Sequence, residues 1–476
     1  MIMVCGTSSS AGKSVFVAAL CRILSKMGYR VAPFKAQNMS LNSYVTKDGK
    51  EIAIAQAFQA QAAGIEPDIR MNPIMLKPKG NGVSQLIVMG EAVKDIGATQ
   101  YYQEVKRLRK VVQEAYSDLL EEFDVVVIEG AGSIAEINLY DRDIVNIGMA
   151  RMAKPDIYII SDIDRGGVFA ALYGSFALLP DDVKALVKGF IINRMRGYES
   201  LLKNGIEQLE ELTGVRVLGV IPYLEHRMPS EDSLSLEEWR DDGVIGVVRL
   251  PRISNFTDFE PLRFAGVKIV NLKEELEDLE ILILPGTKET ISDLKALKRW
   301  GMDEKIRRFA KGKPVIGICG GYQILGKEIE DRGVEYRGKG KGSVVKVKGL
   351  GLLEASTCFD EYRKTTVRVE KRITGEAAII ERIIGEKVSG YEIHMGRTTS
   401  SRPIFEDDGC VSEDGLVWGT YLHGLFHNFN VQKAFADYLG LKYTKPEDPI
   451  EIFANVVMRR VDIATILRNA GLDVNF

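Results

Sequence analysis

Two textures of apolar residues alternate along the chain. Short β-branched runs recur at Met1–Val4, Tyr29–Lys35, Val125–Ile128, Ile157–Ile160, Phe190–Ile192 and Val217–Ile221. Continuous apolar runs of this length read as strands buried on both faces. The segments between them carry helical spacing. From Ser14 to Met27, Phe16, Leu20, Ile23 and Met27 fall three or four apart, and Gly28 supplies a stop. Strands separated by crossover helices predict a parallel sheet. The pattern breaks near residue 230, where PSEDSLSLEEWRDDG (229–243) is acidic, has few apolar anchors and predicts a linker. A second series follows at Val244–Leu250, Val267–Val270, Ile281–Leu284 and Val315–Ile318. Lys339–Lys348, rich in glycine and lysine, predicts a loop. Beyond Gly351 the chain becomes strand-rich, runs through WGTYLHG and ends in a helical tail. The expected fold class is α/β with two domains. The expected boundaries are 1–228 for the first, 229–243 for the linker, 244–440 for the second and 441–476 for the tail.

Composition narrows the class. The 476 residues include 63 Lys+Arg and 66 Asp+Glu, a net charge of −3. That balance argues against non-specific nucleic-acid binding by the whole chain. No run approaches the roughly 20 apolar residues of a bilayer span, so no membrane partner is expected. The N-terminus lacks the basic start and small-residue site of a signal peptide. Cysteines stand apart at 5, 21, 319, 358 and 410. An odd number without a CxxC pair speaks against a disulfide framework or a zinc ribbon. A reducing cytoplasm is the expected compartment.

The segment from Gly6 to Ser14 (GTSSSAGKS) lies between a predicted strand and a predicted helix. Small residues let backbone amides turn toward phosphate oxygens, and a helix N-terminus adds partial positive charge. After Gly12, Lys13 would contact the β- and γ-phosphates of ATP, and Ser14 would offer a hydroxyl to Mg²⁺. The spacing departs from the usual pattern, because Thr7 occupies the first glycine position and Gly6 lies one residue earlier. Glu129 ends an apolar strand, as expected of an acid that helps Ser14 hold the metal. Lys35 ends another strand and would neutralise phosphate. Asn193 ends GFIIN, where it would either pair with a purine edge or cap a turn. Asp162, Asp164 and Arg165 (DIDRGG) follow a further strand, a position where parallel sheets place ligands or, alternatively, a salt-bridged turn.

The second signal is Gly317-Ile-Cys319-Gly320-Gly321 after an apolar strand. Glycines around the cysteine permit a sharp strand-to-helix turn with the thiol at a helix N-terminus, which favours thiolate. The Gly320 amide, with Gly286 of LPGTK, would form an oxyanion hole. Cys5, Cys21, Cys358 and Cys410 lack this setting and read as packing. Of the four histidines, His423 follows an apolar strand and precedes a glycine, which suits a base for Cys319. Leu425 stands where an amidotransferase has its third-member glutamate. A Cys–His dyad is therefore expected, with backbone or another side chain orienting the imidazole. Glu392 is a candidate, although no spacing argument carries it to His423.

A nucleotide site and a thiolate site in one chain combine economically as an ATP-driven amidoligase fed by glutamine hydrolysis. The N-terminal half resembles the dethiobiotin synthetase-like P-loop group. The C-terminal half resembles class I glutamine amidotransferases that lack the third carboxylate. The joint pattern is similar to the cobyric acid synthase family through APFKAQNMSLNSYVT (32–46), MNPIMLKP (71–78), EGAGSIAEINL (129–139), DIDRGGVFA (162–170), EDSL (231–234), RISNFTDFEPL (252–262), GICGGYQILG (317–326), GYEIHMGR (390–397) and GTYLHGLF (419–426). The resemblance implies ATP- and glutamine-dependent amidation of the b, d, e and g carboxylates of adenosylcobyrinic acid a,c-diamide. It implies Cys319 as nucleophile and His423 as base, with Lys13, Ser14 and Glu129 handling MgATP. It further implies Lys35, Arg142 and Arg165 as anchors of the polycarboxylate, with Asp162 and Asp164 as metal or ordering groups. A homo-oligomer is compatible with it. The nearest alternative is the related a,c-diamide synthase. A partitioning-type P-loop ATPase would share the loop but would not need Cys319 or His423.

Overall fold

The computed structural model describes residues 1–80, 82–224, 243–336, 344–361 and 363–474. The predicted linker apart from Gly243, the EDSL segment and the first half of Lys339–Lys348 lie outside these residues. The chain divides into two units, one of Met1–Ser40, Glu51–Pro229 and Pro446–Phe476, the other of Leu41–Lys50 and Ser230–Lys445.

The first unit is built on six parallel strands in the order Val217–Pro222, Val187–Met195, Asp156–Asp162, Ile2–Gly6, Val125–Glu129 and Val31–Phe34. Ile2–Gly6 and Val125–Glu129 are buried along their whole length. Both faces are covered, which is why these strands show apolar runs rather than alternation. The helix Lys13–Lys26 packs Phe16, Leu20 and Ile23 into the core. The tail helix Pro449–Arg460 joins that same core through Ile450, Phe453 and Val457. Its start is well specified: Asp448 caps the Ile450 amide, Pro449 takes the first turn, and Asp448 pairs with Arg22 at 2.9 Å. Each of the three apolar side chains contributes about 1.5–3 kcal/mol on burial.

A four-stranded sheet of Gln37–Met39, Ile74–Gly80, Val83–Val88 and Glu91–Gly97 completes the unit beside the helix Ala98–Glu122. Its second hairpin turns on Met89 and Gly90, at φ 48° and 77°. Two consecutive positive φ values give the twist that hairpins favour.

The second unit has parallel strands in the order Val267–Val270, Ile245–Val248, Ile281–Leu284, Val315–Ile318 and Val417–Thr420, with Cys410–Val411 antiparallel at the edge. Strand-rich additions follow as predicted. Val345–Lys348, Glu328–Asp331, Ala355–Phe359 and Arg397–Ser400 form one sheet. Thr365–Arg372 and Lys387–His394 form a two-stranded ribbon.

Candidate active sites

In the first unit the phosphate loop follows Ile2–Gly6, and the helix starts at Lys13. Gly12 sits at φ 102°, and a Cβ there would lie 2.1 Å from Asn193 Nδ2. The loop therefore requires glycine at this position. Asn193 Nδ2 donates to the Ala11 carbonyl at 3.0 Å. The structure thus uses this amide to support the loop from beneath, where the sequence suggested a base edge or a turn cap. Lys13 Nζ donates to the carbonyls of Ser8 (2.9 Å) and Gly132 (3.1 Å), which holds its charge within the loop.

Glu129 is fully buried at its strand end. A buried carboxylate is tolerable only when well partnered. Its Oε1 accepts from Ser14 Oγ at 2.8 Å and Lys35 Nζ at 2.9 Å. Its Oε2 accepts from Gln56 at 3.2 Å and Gln59 at 2.5 Å. Asn38 in turn donates to Gln56 Oε1 at 2.9 Å. Gln56 and Gln59 were not singled out in the sequence, because neutral amides in an alanine-rich helix (Ile54–Ala62) look like packing, and neither was Asn38, in the short strand Gln37–Met39. Among the described residues no three His, Cys, Asp or Glu side chains gather as a metal cluster. A hydroxyl and a carboxylate in contact nevertheless fit Mg²⁺, which keeps few protein ligands and takes the rest from phosphate and water.

Asp162 and Asp164 are engaged in ion pairs. Asp162 accepts from the Asp164 amide at 2.8 Å and pairs with Arg194 at 3.1 Å. Asp164 pairs with Arg196 at 2.6 Å, which holds its carboxyl below the usual range. This is the salt-bridged turn of the two alternatives. Arg165 is exposed after it. Arg142 is also exposed, with its guanidinium 4.6 Å from the centre of the Tyr102 ring.

In the second unit Cys319 stands between Val315–Ile318 and the helix Gly320–Leu325 at φ 52°, ψ −108°. A non-glycine residue held there stores strain, the mark of a nucleophile elbow. The turn is tight enough that a Cβ on Gly321 would lie 2.0 Å from the Leu284 carbonyl. Gly320 opens the helix, so its amide is among those without an intrahelical acceptor. Gly286 lies beside the imidazole, where a Cβ would come within 3.3 Å of His423 Cε1.

His423 is 1% exposed and its Nδ1 lies 2.7 Å from Asp258 Oδ2. The other oxygen of Asp258 accepts from the Gly424 amide at 3.0 Å. Burial alone would lower the His423 pKa, but the charge and hydrogen bond of Asp258, together with Cys319, raise it to about 10. The expected dyad is therefore a line of three, Cys319, His423 and Asp258. Glu392 belongs elsewhere: it pairs with Lys371 at 2.7 Å and His394 at 3.5 Å. Burial works to raise the Glu392 pKa, yet hydrogen bonds with His394 and Lys371 and the charge of Lys371 bring it down to about 2. Cys5 and Cys21 are buried, and desolvation raises their thiol pKa values strongly, as for packing residues.

Asp258 follows Asn255, which sits at φ 50°. The segment Leu41–Lys50 secures this stretch. Asn42 Oδ1 accepts from the Phe256 amide and Asn255 Oδ1 accepts from the Ser43 amide, each at 3.1 Å. Tyr44 meets Tyr391 edge-on at 5.3 Å, and Tyr391 stacks on the His423 ring at 5.5 Å. Backbone bonds in both directions also join Tyr391 and His423.

Sequence comparisons agree with this two-unit reading. Residues 2–235 match the CobQ/CobB/MinD/ParA nucleotide binding domain, and residues 244–431 match the CobB/CobQ-like glutamine amidotransferase domain. The chain is 62% identical to the probable cobyric acid synthase of Archaeoglobus fulgidus, over 98% of this chain and 99% of that protein. It is 51% identical to the probable cobyric acid synthase of Methanosarcina mazei, over 99% of both. It is 52% identical to that of Methanosarcina acetivorans, again over 99% of both. An amidotransferase-type enzyme with a nucleotide-binding domain, the chain belongs to the cobyric acid synthase family.

Proposed function

We propose that the protein uses MgATP and glutamine to amidate the b, d, e and g carboxylates of adenosylcobyrinic acid a,c-diamide. The observation that carries the reading is the Cys319–His423–Asp258 line in a chain that also holds Lys13, Ser14, Lys35 and Glu129 around a phosphate loop.

In the second unit Cys319 Sγ attacks the glutamine side-chain amide carbon. Negative charge builds on the amide oxygen, and the amides of Gly320 and Gly286 receive it. The protonated His423 ring gives its proton to the departing nitrogen, so ammonia leaves and a thioester remains. Water then attacks the thioester, His423 takes a proton from it, and glutamate departs with the thiolate restored. Asp258 stabilises the imidazolium in both halves.

In the first unit Lys13 and the loop amides hold the ATP phosphates. Mg²⁺ would be held by Ser14 and Glu129 and would supply charge neutralisation at the phosphates. Lys35 adds positive charge through Glu129. A substrate carboxylate oxygen displaces ADP from the γ-phosphorus to give an acyl phosphate. Ammonia attacks the acyl carbon, phosphate leaves, and the amide forms. Cytoplasmic placement is part of the proposal, supported by five cysteines that are all free thiols.

Mass spectrometry of adenosylcobyrinic acid a,c-diamide incubated with the enzyme tests the reading. Wild type with MgATP and glutamine should show up to four successive exchanges of a carboxyl OH for NH₂. Cys319→Ala should show none with glutamine and the full series with ammonium. An unchanged substrate with wild type would refute the assignment. The same experiment on cobyrinic acid would then examine the a,c-diamide alternative.

A further inference from the structure

The first unit holds an open-sided cavity of about 510 Å³. This lies within the range of about 300–1,000 Å³ typical of small-molecule sites. One wall is the four-stranded sheet, with Leu76 and Ile96. A second is the start of the helix Ala98–Glu122, with Tyr101 and Tyr102. The third is the segment that follows Glu129, with Ala131 and Ser133.

That third wall ties the cavity to the chemistry. The Gly132 carbonyl, between Ala131 and Ser133, accepts from Lys13 Nζ. The wall is also rigid. Asn146 Oδ1 accepts from the Ala131 amide at 3.0 Å, and its Nδ2 donates to the Ala131 carbonyl at 2.8 Å. Asp143 accepts from the amides of Val145 and Ile147, each at 2.6 Å. A pre-formed hollow of mainly apolar character thus borders the segment whose Gly132 carbonyl accepts from the lysine expected to hold the γ-phosphate. Arg142 adds a guanidinium to its lining over Tyr102.

We propose that this cavity seats the phosphoryl acceptor, a molecule with a large apolar ring body and peripheral carboxylates. The inference rests on the proposed function and names where its substrate binds. Phosphoryl transfer requires the acceptor carboxylate to sit in line with the γ-phosphate, so the acceptor site must border the phosphate loop. The apolar and tyrosine walls suit the face of a macrocycle. Arg142 suits one of its carboxylates, while a second carboxylate points past Ala131–Ser133 toward the phosphates.

The test uses the full chain with Arg142→Ala and Ala98→Trp. Ala98 is exposed and lines the cavity, so the indole fills the hollow from its open side. Equilibrium dialysis with adenosylcobyrinic acid a,c-diamide reads binding without turnover, and steady-state kinetics reads KM for each substrate. Arg142→Ala should weaken acceptor binding and raise its KM about tenfold, the loss expected for one charge-assisted hydrogen bond. Ala98→Trp should do so by more than tenfold. KM for ATP and glutaminase activity should not change in either. Wild-type affinity for the acceptor in both variants overturns the proposal, as does a rise in KM for ATP alone, which would make the hollow a nucleotide-base pocket. If wild type binds the acceptor without amidating it and the variants lose that binding, the cavity assignment stands and the functional reading falls. If wild type neither binds nor amidates it, both fall. Arg142→Ala alters only an exposed side chain and decides the matter if Ala98→Trp does not fold.

Discussion

Replacing Asp258 with Asn removes one charge from a buried hydrogen bond while keeping the shape of the side chain. In the native protein the His423 pKa stands at about 10 against an ordinary value of 6.5. A rise of that size is worth on the order of 5 kcal/mol in favour of the imidazolium. Asp258 contributes the larger share of the rise, ahead of Cys319. With the imidazolium as the proposed acid that expels ammonia, losing most of that rise should lower glutaminase kcat about 100- to 1,000-fold. The sign in pH is also fixed. A raised pKa means the stabilisation from charged His423 is fully present below pH 6.5 and is lost as pH rises through about 10. The glutaminase assay, glutamate release followed from pH 6 to 10.5, should therefore show wild type losing activity only near the alkaline end. Asp258→Asn should lose its remaining activity several pH units earlier. Amidation driven by ammonium should be untouched, because Asp258 serves only the thiolate site. A variant within about threefold of wild type with the same alkaline limb would show that Asp258 does not support the His423 imidazolium.

Glu392→Gln should keep glutaminase within about threefold, since Glu392 serves Lys371 and His394, and should instead lower the melting temperature. With its pKa depressed to about 2, the contribution of Glu392 is present above pH 4.5 and is lost as pH falls through 2, so a pH series of melting curves checks it. Asn42→Ala should lower glutaminase kcat about tenfold by freeing the Phe256 amide, with Asn42→Asp restoring it because the acceptor oxygen returns. Unchanged kcat in the alanine variant would show that the Asp258 stretch holds itself. Ending the chain before Pro446 should expose the core that Ile450, Phe453 and Val457 cover, at roughly 4.5–9 kcal/mol for the three. Unfolding monitored by calorimetry should show a large loss in the first unit or aggregation during expression.

The parts readable from sequence are those whose chemistry is local in the chain. The phosphate loop occupies nine consecutive residues, and the cysteine elbow five, so glycine spacing alone located Lys13, Ser14 and Cys319. Strands buried on both faces announced themselves as apolar runs, and Ile281–Leu284 and Val315–Ile318 match the prediction residue for residue. Asp258 was hidden because it stands 165 residues before its partner, in a stretch with no spacing signal. Gln56 and Gln59 were hidden because a neutral amide facing a buried carboxylate looks, in one dimension, like any helix polar residue. The Met89–Gly90 turn escaped because methionine rarely occupies positive φ. The placement of Leu41–Lys50 with the second unit, and of the tail with the first, depends on long-range packing that no local pattern encodes.

In the proposed reaction one chain moves nitrogen from glutamine to an acceptor activated by ATP. Its most direct test is isotopic. The enzyme would receive amide-¹⁵N glutamine, MgATP and adenosylcobyrinic acid a,c-diamide, and the ¹⁵N content of the product amides would be compared with the phosphate released. The expected result is one ¹⁵N and one phosphate for each new amide, none of either product from Lys13→Ala, and unlabelled amides from Cys319→Ala supplied with ordinary ammonium. New amides that carry no ¹⁵N in the wild-type reaction, or that form without phosphate release, would contradict it.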